Sequence, residues 1–232
     1  MGSFVLVHGA WADGSCWQNI ILPLRREGFK VICAPIPLTS LAEDTAALQR
    51  VMDRVPGPIL LAGHAYAGAV IAGAKDDRVK SLVYIATLAP AEGETVADVF
   101  YRAKPHPEAP HLEPDVHGFI WRPEGGFAQA VAHRAPADQI TILEAVQRPI
   151  AVKCIQENAP APAWKTKPSW FLLAEEDRMI APETQRYMAE RMGAKIRTHE
   201  VDHSPMYTAP DVVVSVILEA ARETLARYAS AS

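Results

Sequence analysis

Cysteine is scarce: Cys16, Cys33 and Cys154 are the only three in 232 residues. They are too few and too scattered to build a disulfide framework or a zinc site. Basic charge is also short, with 23 lysines and arginines against 27 acidic residues and a formal charge of −4. No basic patch is visible, so nucleic acid is not an expected partner. No apolar run reaches the roughly 18 residues of a membrane span, so no membrane partner is expected. The N-terminus, Met1-Gly2-Ser3-Phe4-Val5-Leu6-Val7-His8, runs straight into a strand-like segment. It has no basic n-region and no small-residue cleavage site, so no signal peptide is expected and the expected location is the cytoplasm. What the chain does have is a globular composition, 49% apolar and 22% charged. That is enough for a buried core and argues against disorder. The length fits one domain, or a core domain with an inserted lid.

Short β-rich runs alternate with longer amphipathic ones. Six runs read as buried strands: Phe4–Val7, Lys30–Ala34, Ile59–Gly63, Ser81–Ala86, Trp170–Ala174 and Ile196–Val201. Most carry consecutive apolar residues, which suit a parallel sheet covered on both faces. Trp17–Glu27, Leu41–Arg54, Tyr66–Ala74 and Glu183–Met192 read as helices. A last helix starts near Pro210, with Val214, Ile217, Ala221, Leu225 and Tyr228 spaced to form one face. The alternation predicts an α/β fold, a doubly wound, mostly parallel six-stranded sheet flanked by helices.

Residues 91–162 break this rhythm. They hold nine prolines, four of the eight histidines, six basic and ten acidic residues, and no convincing strand. Helical periodicity appears there only in patches, Thr95–Arg102 and Ala137–Ala151. A segment this long without a strand is too long for a connecting loop, and such insertions are usually lids or binding elements. Residues 1–90 and 163–232 are therefore expected to form the core, and 91–162 a helical lid over it.

Four short segments carry chemistry. Gly63-His64-Ala65-Tyr66-Ala67-Gly68 lies between a strand and a helix and has the form of a nucleophile elbow, with alanine where serine would stand. His8-Gly9-Ala10-Trp11 follows the first strand, and the N–H groups of Ala10 and Tyr66 could hold a developing oxyanion. Glu175-Glu176-Asp177-Arg178 follows the fifth strand, where an orienting carboxylate belongs. Val201-Asp202-His203-Ser204-Pro205 follows the last strand, where a base belongs, with His199 its competitor. The order is elbow, then acid, then histidine. His64 beside the elbow reads as a packing residue. His106, His111, His117 and His133 read as lid surface with no metal-ligand spacing. Trp11, Trp121, Trp164, Met206 and Tyr207 are candidate pocket walls.

With these residues in view, the chain resembles the α/β-hydrolase superfamily, in the branch of plant methylesterases, hydroxynitrile lyases and their small bacterial relatives. The resemblance implies a six-stranded core under a helical cap. It also implies Asp177 as triad acid, His203 as triad base, Ala10 and Tyr66 as oxyanion donors, and no cofactor or metal. Members carry serine at the position of Ala65. The lyases of the branch have threonine after the strand histidine and lysine after the catalytic histidine, where this chain has Gly9 and Ser204.

A methyl group cannot attack a carbonyl. Either Ala65 replaces the serine of a working carboxylic ester hydrolase, or the chain is of another class. A cofactor-free oxygenase would need mainly the His/Asp pair, and a non-catalytic binding protein would close its lid on a small molecule. The complete surroundings of Ala65 favour the inactivated hydrolase, because a strained elbow and a His/Asp pair would otherwise have nothing to activate. The expected partner is a small-molecule ester. The acidic lid points to a neutral apolar or aromatic one.

Overall fold

The computed structural model describes residues 2–225. The chain forms β1 (Ser3–Val7), β2 (Lys30–Ala34), β3 (Ile59–His64), β4 (Val79–Ile85), β5 (Phe119–Ile120), β6 (Ile150–Ala151), β7 (Ser169–Ala174) and β8 (Lys195–His199). Six of these make one sheet in the order β2-β1-β3-β4-β7-β8, every neighbouring pair parallel. The expected α/β sheet is therefore present, with edges shifted by one or two residues. The two-residue shifts are at β4, which starts at Val79 rather than Ser81, and at the last strand, which ends at His199 rather than Val201.

Successive side chains of a strand point to opposite faces, so a strand covered on both sides must be apolar throughout. In β1, Phe4 and Leu6 pack on one side with Ile20, Leu24 and Ile217, while Val5 and Val7 pack on the other with Leu48, Val70 and Met188. The first face is covered by α1 (Gln18–Arg26) and a C-terminal helix, Pro210–Thr224; the second by α2 (Leu41–Met52), α3 (Ala67–Ala72) and a further helix, Pro182–Arg191. Each fully buried side chain of this size contributes on the order of 2 kcal/mol.

The helices start where local chemistry permits. Ser40 accepts the N–H of Glu43 at 3.0 Å at the head of α2, satisfying a donor that the first turn leaves free. Pro182 and Pro210 open their helices, positions that need no N–H partner. In the C-terminal helix the buried stripe is Val213, Val216, Ile217, Ala220 and Ala221, with Val214 only half-buried. The run Val212-Val213-Val214 is apolar on both flanks, so the sequence leaves the face ambiguous by one residue. Tyr228 lies outside the described residues.

The segment 91–162 is built from small pieces: α4 (Val96–Phe100), a π-helical turn at Phe127–Val131, α5 (Ala137–Ala145) and α6 (Val152–Gln156). β5 and β6 pair antiparallel within it, Ile120 opposite Ile150. The expectation of a strand-free, mainly helical segment is corrected on both points. No helix in it exceeds nine residues, and irregular backbone joins the pieces. Two-residue strands have no periodicity to read, and they exist because the core fixes their ends. The N–H of Ala151 bonds Leu38 O at 2.9 Å. Among the described residues no helix is long and apolar enough to cross a membrane.

Candidate active site

Four strands that are neighbours in the sheet run out into a left-handed residue near their carboxyl ends. These are Trp11 after β1 (φ +58°), Leu38 after β2 (+62°), Ala65 after β3 (+52°) and Ala86 after β4 (+45°). None is glycine, and each such residue costs on the order of 1 kcal/mol or more, which the surrounding packing must hold. Ala65 is held hardest. Its N–H bonds Ile85 O at 3.3 Å, and its carbonyl takes the N–H groups of Gly68 at 3.1 Å and Leu88 at 3.0 Å. Small neighbours make this possible. A Cβ on Gly68 would lie 2.5 Å from Leu88 O, and one on Gly9 would lie 2.9 Å from Ala65 Cβ. The loop after β1 and the turn after β3 are thus in contact. Among the described residues, neither the Ala10 nor the Tyr66 N–H has a protein acceptor.

Asp177 is buried, unlike exposed Glu175, and unlike half-buried Glu176, which pairs with Arg134 at 2.9 Å. Its Oδ1 accepts the N–H groups of Met179 (2.7 Å) and Ile180 (2.8 Å); its Oδ2 accepts Gln185 Nε2 (2.8 Å). The same Oδ2 lies 2.8 Å from His203 Nδ1. A carboxylate with three such donors is an acceptor for the fourth, so His203 carries its proton on Nδ1 and leaves Nε2 with a lone pair. The two groups come from turns after β7 and β8, brought side by side by the parallel pairing of those strands.

His64 supports His203 from below. Its Nε2 lies 2.6 Å from His203 O, and the two rings are 4.8 Å apart. Burial, with His203 beside it, holds the His64 imidazole well below its ordinary pKa, so it is neutral and donates through Nε2. Asp202 is a turn residue: it accepts from Ser204 N (3.1 Å) and Thr208 Oγ1 (2.7 Å). His199 closes β8 and makes no approach to Ala65 comparable to that of His203.

Two pockets meet at this point, and both are bounded by Ala10, Trp11, Ala65 and His203. The first encloses about 590 Å³ including its open mouth and is walled by Phe100, Leu112, Ile120 and Ile155 from the inserted segment. The second runs past His64, Met206 and Tyr207 to Arg122, Phe127 and Leu143. Of the expected pocket walls, Trp11, Met206 and Tyr207 are at the pockets. Two need correction. Trp121 is 48% exposed, bonds Asp115 through its indole at 3.2 Å and lines neither pocket. Trp164 packs in the core beside α3 and also lines neither. Trp121 points away because β5 alternates, so Ile120 takes the inward position.

Sequence reasoning missed three residues here. Gln185 holds Asp177 and also bonds Ala174 N at 3.1 Å. Buried Asp44 accepts the Leu38 N–H (2.7 Å) and the Tyr66 hydroxyl (2.8 Å), anchoring the residue after the elbow, and burial raises its carboxyl above the usual range. Arg122 is buried against Trp11. The one available signal was for Arg122, a charge directly following the apolar run Phe119-Ile120-Trp121.

Comparison with known proteins gives the family and the fold. A carbendazim hydrolyzing esterase of Nocardioides is 30% identical over 45% of this chain, a match spanning 50% of that enzyme. Methylesterase 2 of Arabidopsis thaliana is 22% identical over 93% of this chain and 94% of its own length. The crystal structure of polyneuridine aldehyde esterase has the same fold, with a TM-score of 0.82 and 15% identity over 94% of this chain and 98% of that one. The sequence model of the alpha/beta hydrolase family matches residues 4–216. All three of these relatives are named as esterases. The chain belongs to the alpha/beta hydrolase family and is similar to its plant methylesterase-like branch.

Proposed function

We propose that the site is that of a serine hydrolase of carboxylic esters in which alanine holds the place of the nucleophile. The reading is carried by one observation: Ala65 sits in a left-handed turn at the bottom of two pockets that it shares with His203, itself bonded to buried Asp177. With serine at 65, His203 Nε2 takes the hydroxyl proton as the oxygen adds to the ester carbonyl. The N–H groups of Ala10 and Tyr66 receive the oxyanion. Collapse expels the alcohol, which takes its proton back from His203, and water then releases the acid by the same route. No cofactor takes part. Residues 91–162 act as a lid over the core of residues 1–90 and 163–232, because that segment supplies half of the residues lining the first pocket and Arg122, Phe127, Val131 and Leu143 of the second. The first pocket is apolar, which suits an ester with an apolar or aromatic portion.

The test is Ala65→Ser. The serine form should hydrolyse a short-chain aryl ester, and the chain as it stands should show nothing above background. A folded serine form that is inert on a broad panel of esters, amides and lactones contradicts the reading.

A further inference from the structure

The two pockets differ in one group. Arg122, in the second, is a buried cation without a counter-ion bonded to it. It is 3% exposed, and its Nη1 reaches only Met179 Sδ, a weak acceptor, at 3.2 Å. Its Nε and Nη2 are buried with no hydrogen-bond partner. Asp177, whose charge acts on Arg122, accepts no hydrogen bond from it, because its two oxygens are taken by Met179, Ile180, Gln185 and His203. Burial lowers the Arg122 pKa to about 9, which still leaves it charged at neutral pH.

The guanidinium is also fixed in place. It lies over the Trp11 ring at 4.0 Å and 5.2 Å from that of Phe127. Its own backbone is bonded on both sides by the Gln147 amide, at 3.0 and 3.4 Å. The two unpartnered nitrogens are those on one edge of the guanidinium, where Nε–H and an Nη2–H run parallel. That edge matches the two oxygens of a carboxylate. A buried, rigid and unsatisfied fork is costly to keep unless something repays it.

We propose that Arg122 recognises a carboxylate on the substrate, so that the ester taken by this site carries a free carboxylate on the part entering the second pocket. The apolar portion occupies the first pocket, and the scissile carbonyl lies between them at Ala65. This rests on the ester reading of the site and narrows it. It also revises the expectation drawn from the acidic lid. The mean charge of 72 residues is set by their exposed side chains, whereas a ligand meets the one cation that is buried.

Because Ala65 blocks turnover, binding can be measured on the chain as it stands, by calorimetry. The probes are monobenzyl succinate, with the carboxylate on the acyl part, 4-(butanoyloxymethyl)benzoate, with it on the alcohol part, and neutral benzyl pentanoate. One of the two anions should bind at least 10-fold more tightly than the neutral ester, on the order expected for a charged hydrogen-bonded pair. In Arg122→Met that preference should vanish, with neutral binding changed less than about threefold and the melting temperature no lower, since two orphaned donors are removed. If Arg122 only balanced the charge of Asp177, Arg122→Met would lower the melting temperature and leave the three probes ranked as before. Equal binding of all three probes by the unsubstituted chain overturns the proposal, whether or not Arg122→Met folds. An inert Ala65→Ser form would defeat the hydrolase reading yet leave the anion preference standing.

Discussion

On the sheet side of the site every functional group stands one to four residues beyond the end of a strand, at Ala10, Ala65, Asp177 and His203. On the side of the inserted segment the walls come from elements of two to nine residues and the irregular backbone between them. The first side is positioned by parallel strand pairing. The second is positioned by single contacts to the core, such as Arg134 with Glu176 and Arg178 with Gln129 O at 3.0 Å. In the proposed reaction the difference separates two tasks: the sheet edge fixes the reacting groups, while the insertion shapes what reaches them. Substitutions on the two sides should accordingly differ in size and in kind.

The largest effect is expected at Asp177. In the Ala65→Ser form, Asp177→Asn should lower kcat on the order of 10⁴-fold, as loss of the orienting carboxylate does in a serine protease triad. Glu176→Gln and Glu175→Gln should each change it by less than about threefold. Steady-state kinetics on one aryl ester checks this, and a reversed ranking would move the acid to a glutamate.

This contrast also shows where the sequence was legible. Asp177 could be picked from three adjacent acids only by its place after a strand, and burial now separates it from its neighbours. The four central strands were readable because burial on both faces demands unbroken apolar runs such as Phe4-Val5-Leu6-Val7. The elbow was readable because a close backbone approach demands small residues at fixed spacing. Trp121 and Trp164 were not, since an aromatic residue in an aperiodic segment says nothing about which way it points. Arg122 and Gln185 were hidden for another reason: their roles depend on partners 57 and 8 residues away in the chain.

Next in size is a pH effect on the sheet side. His8 is fully buried beneath the loop after β1, bonded through Nδ1 to Gly9 O, with Nε2 unpartnered. Burial lowers its pKa from 6.5 to about 4, with Arg148 adding to that effect. The unfolded chain therefore binds a proton between these values that the folded chain refuses. Stability should be full above pH 6.5 and fall as the pH drops toward 4. Urea unfolding at pH 7 and pH 4.5 should show a loss to which His8 contributes about 2 kcal/mol. In His8→Gln the loss should shrink by that amount, with His64 keeping its own share. An unchanged loss would mean that His8 titrates normally in the fold.

Smaller effects belong to the insertion. Phe100→Ala in the serine form should enlarge the apolar pocket and change the ratio of kcat/KM between short and long acyl esters by roughly 10-fold, about one buried-group increment. Trp121→Ala should leave that ratio within about twofold, since its ring lies outside both pockets. Selectivity that follows Trp121 instead would mean the insertion closes differently over a bound ester.

The central claim is that position 65 is where a nucleophile meets the His203–Asp177 pair. A fluorophosphonate, which forms a bond only to an activated serine oxygen, tests it directly by mass spectrometry of the intact chain and its peptides. The Ala65→Ser form should gain one phosphonyl group on residue 65 and lose that labelling in Ala65→Ser with His203→Ala. The chain with Ala65 should gain none. A folded serine form left unlabelled, or labelled equally without His203, would contradict the account.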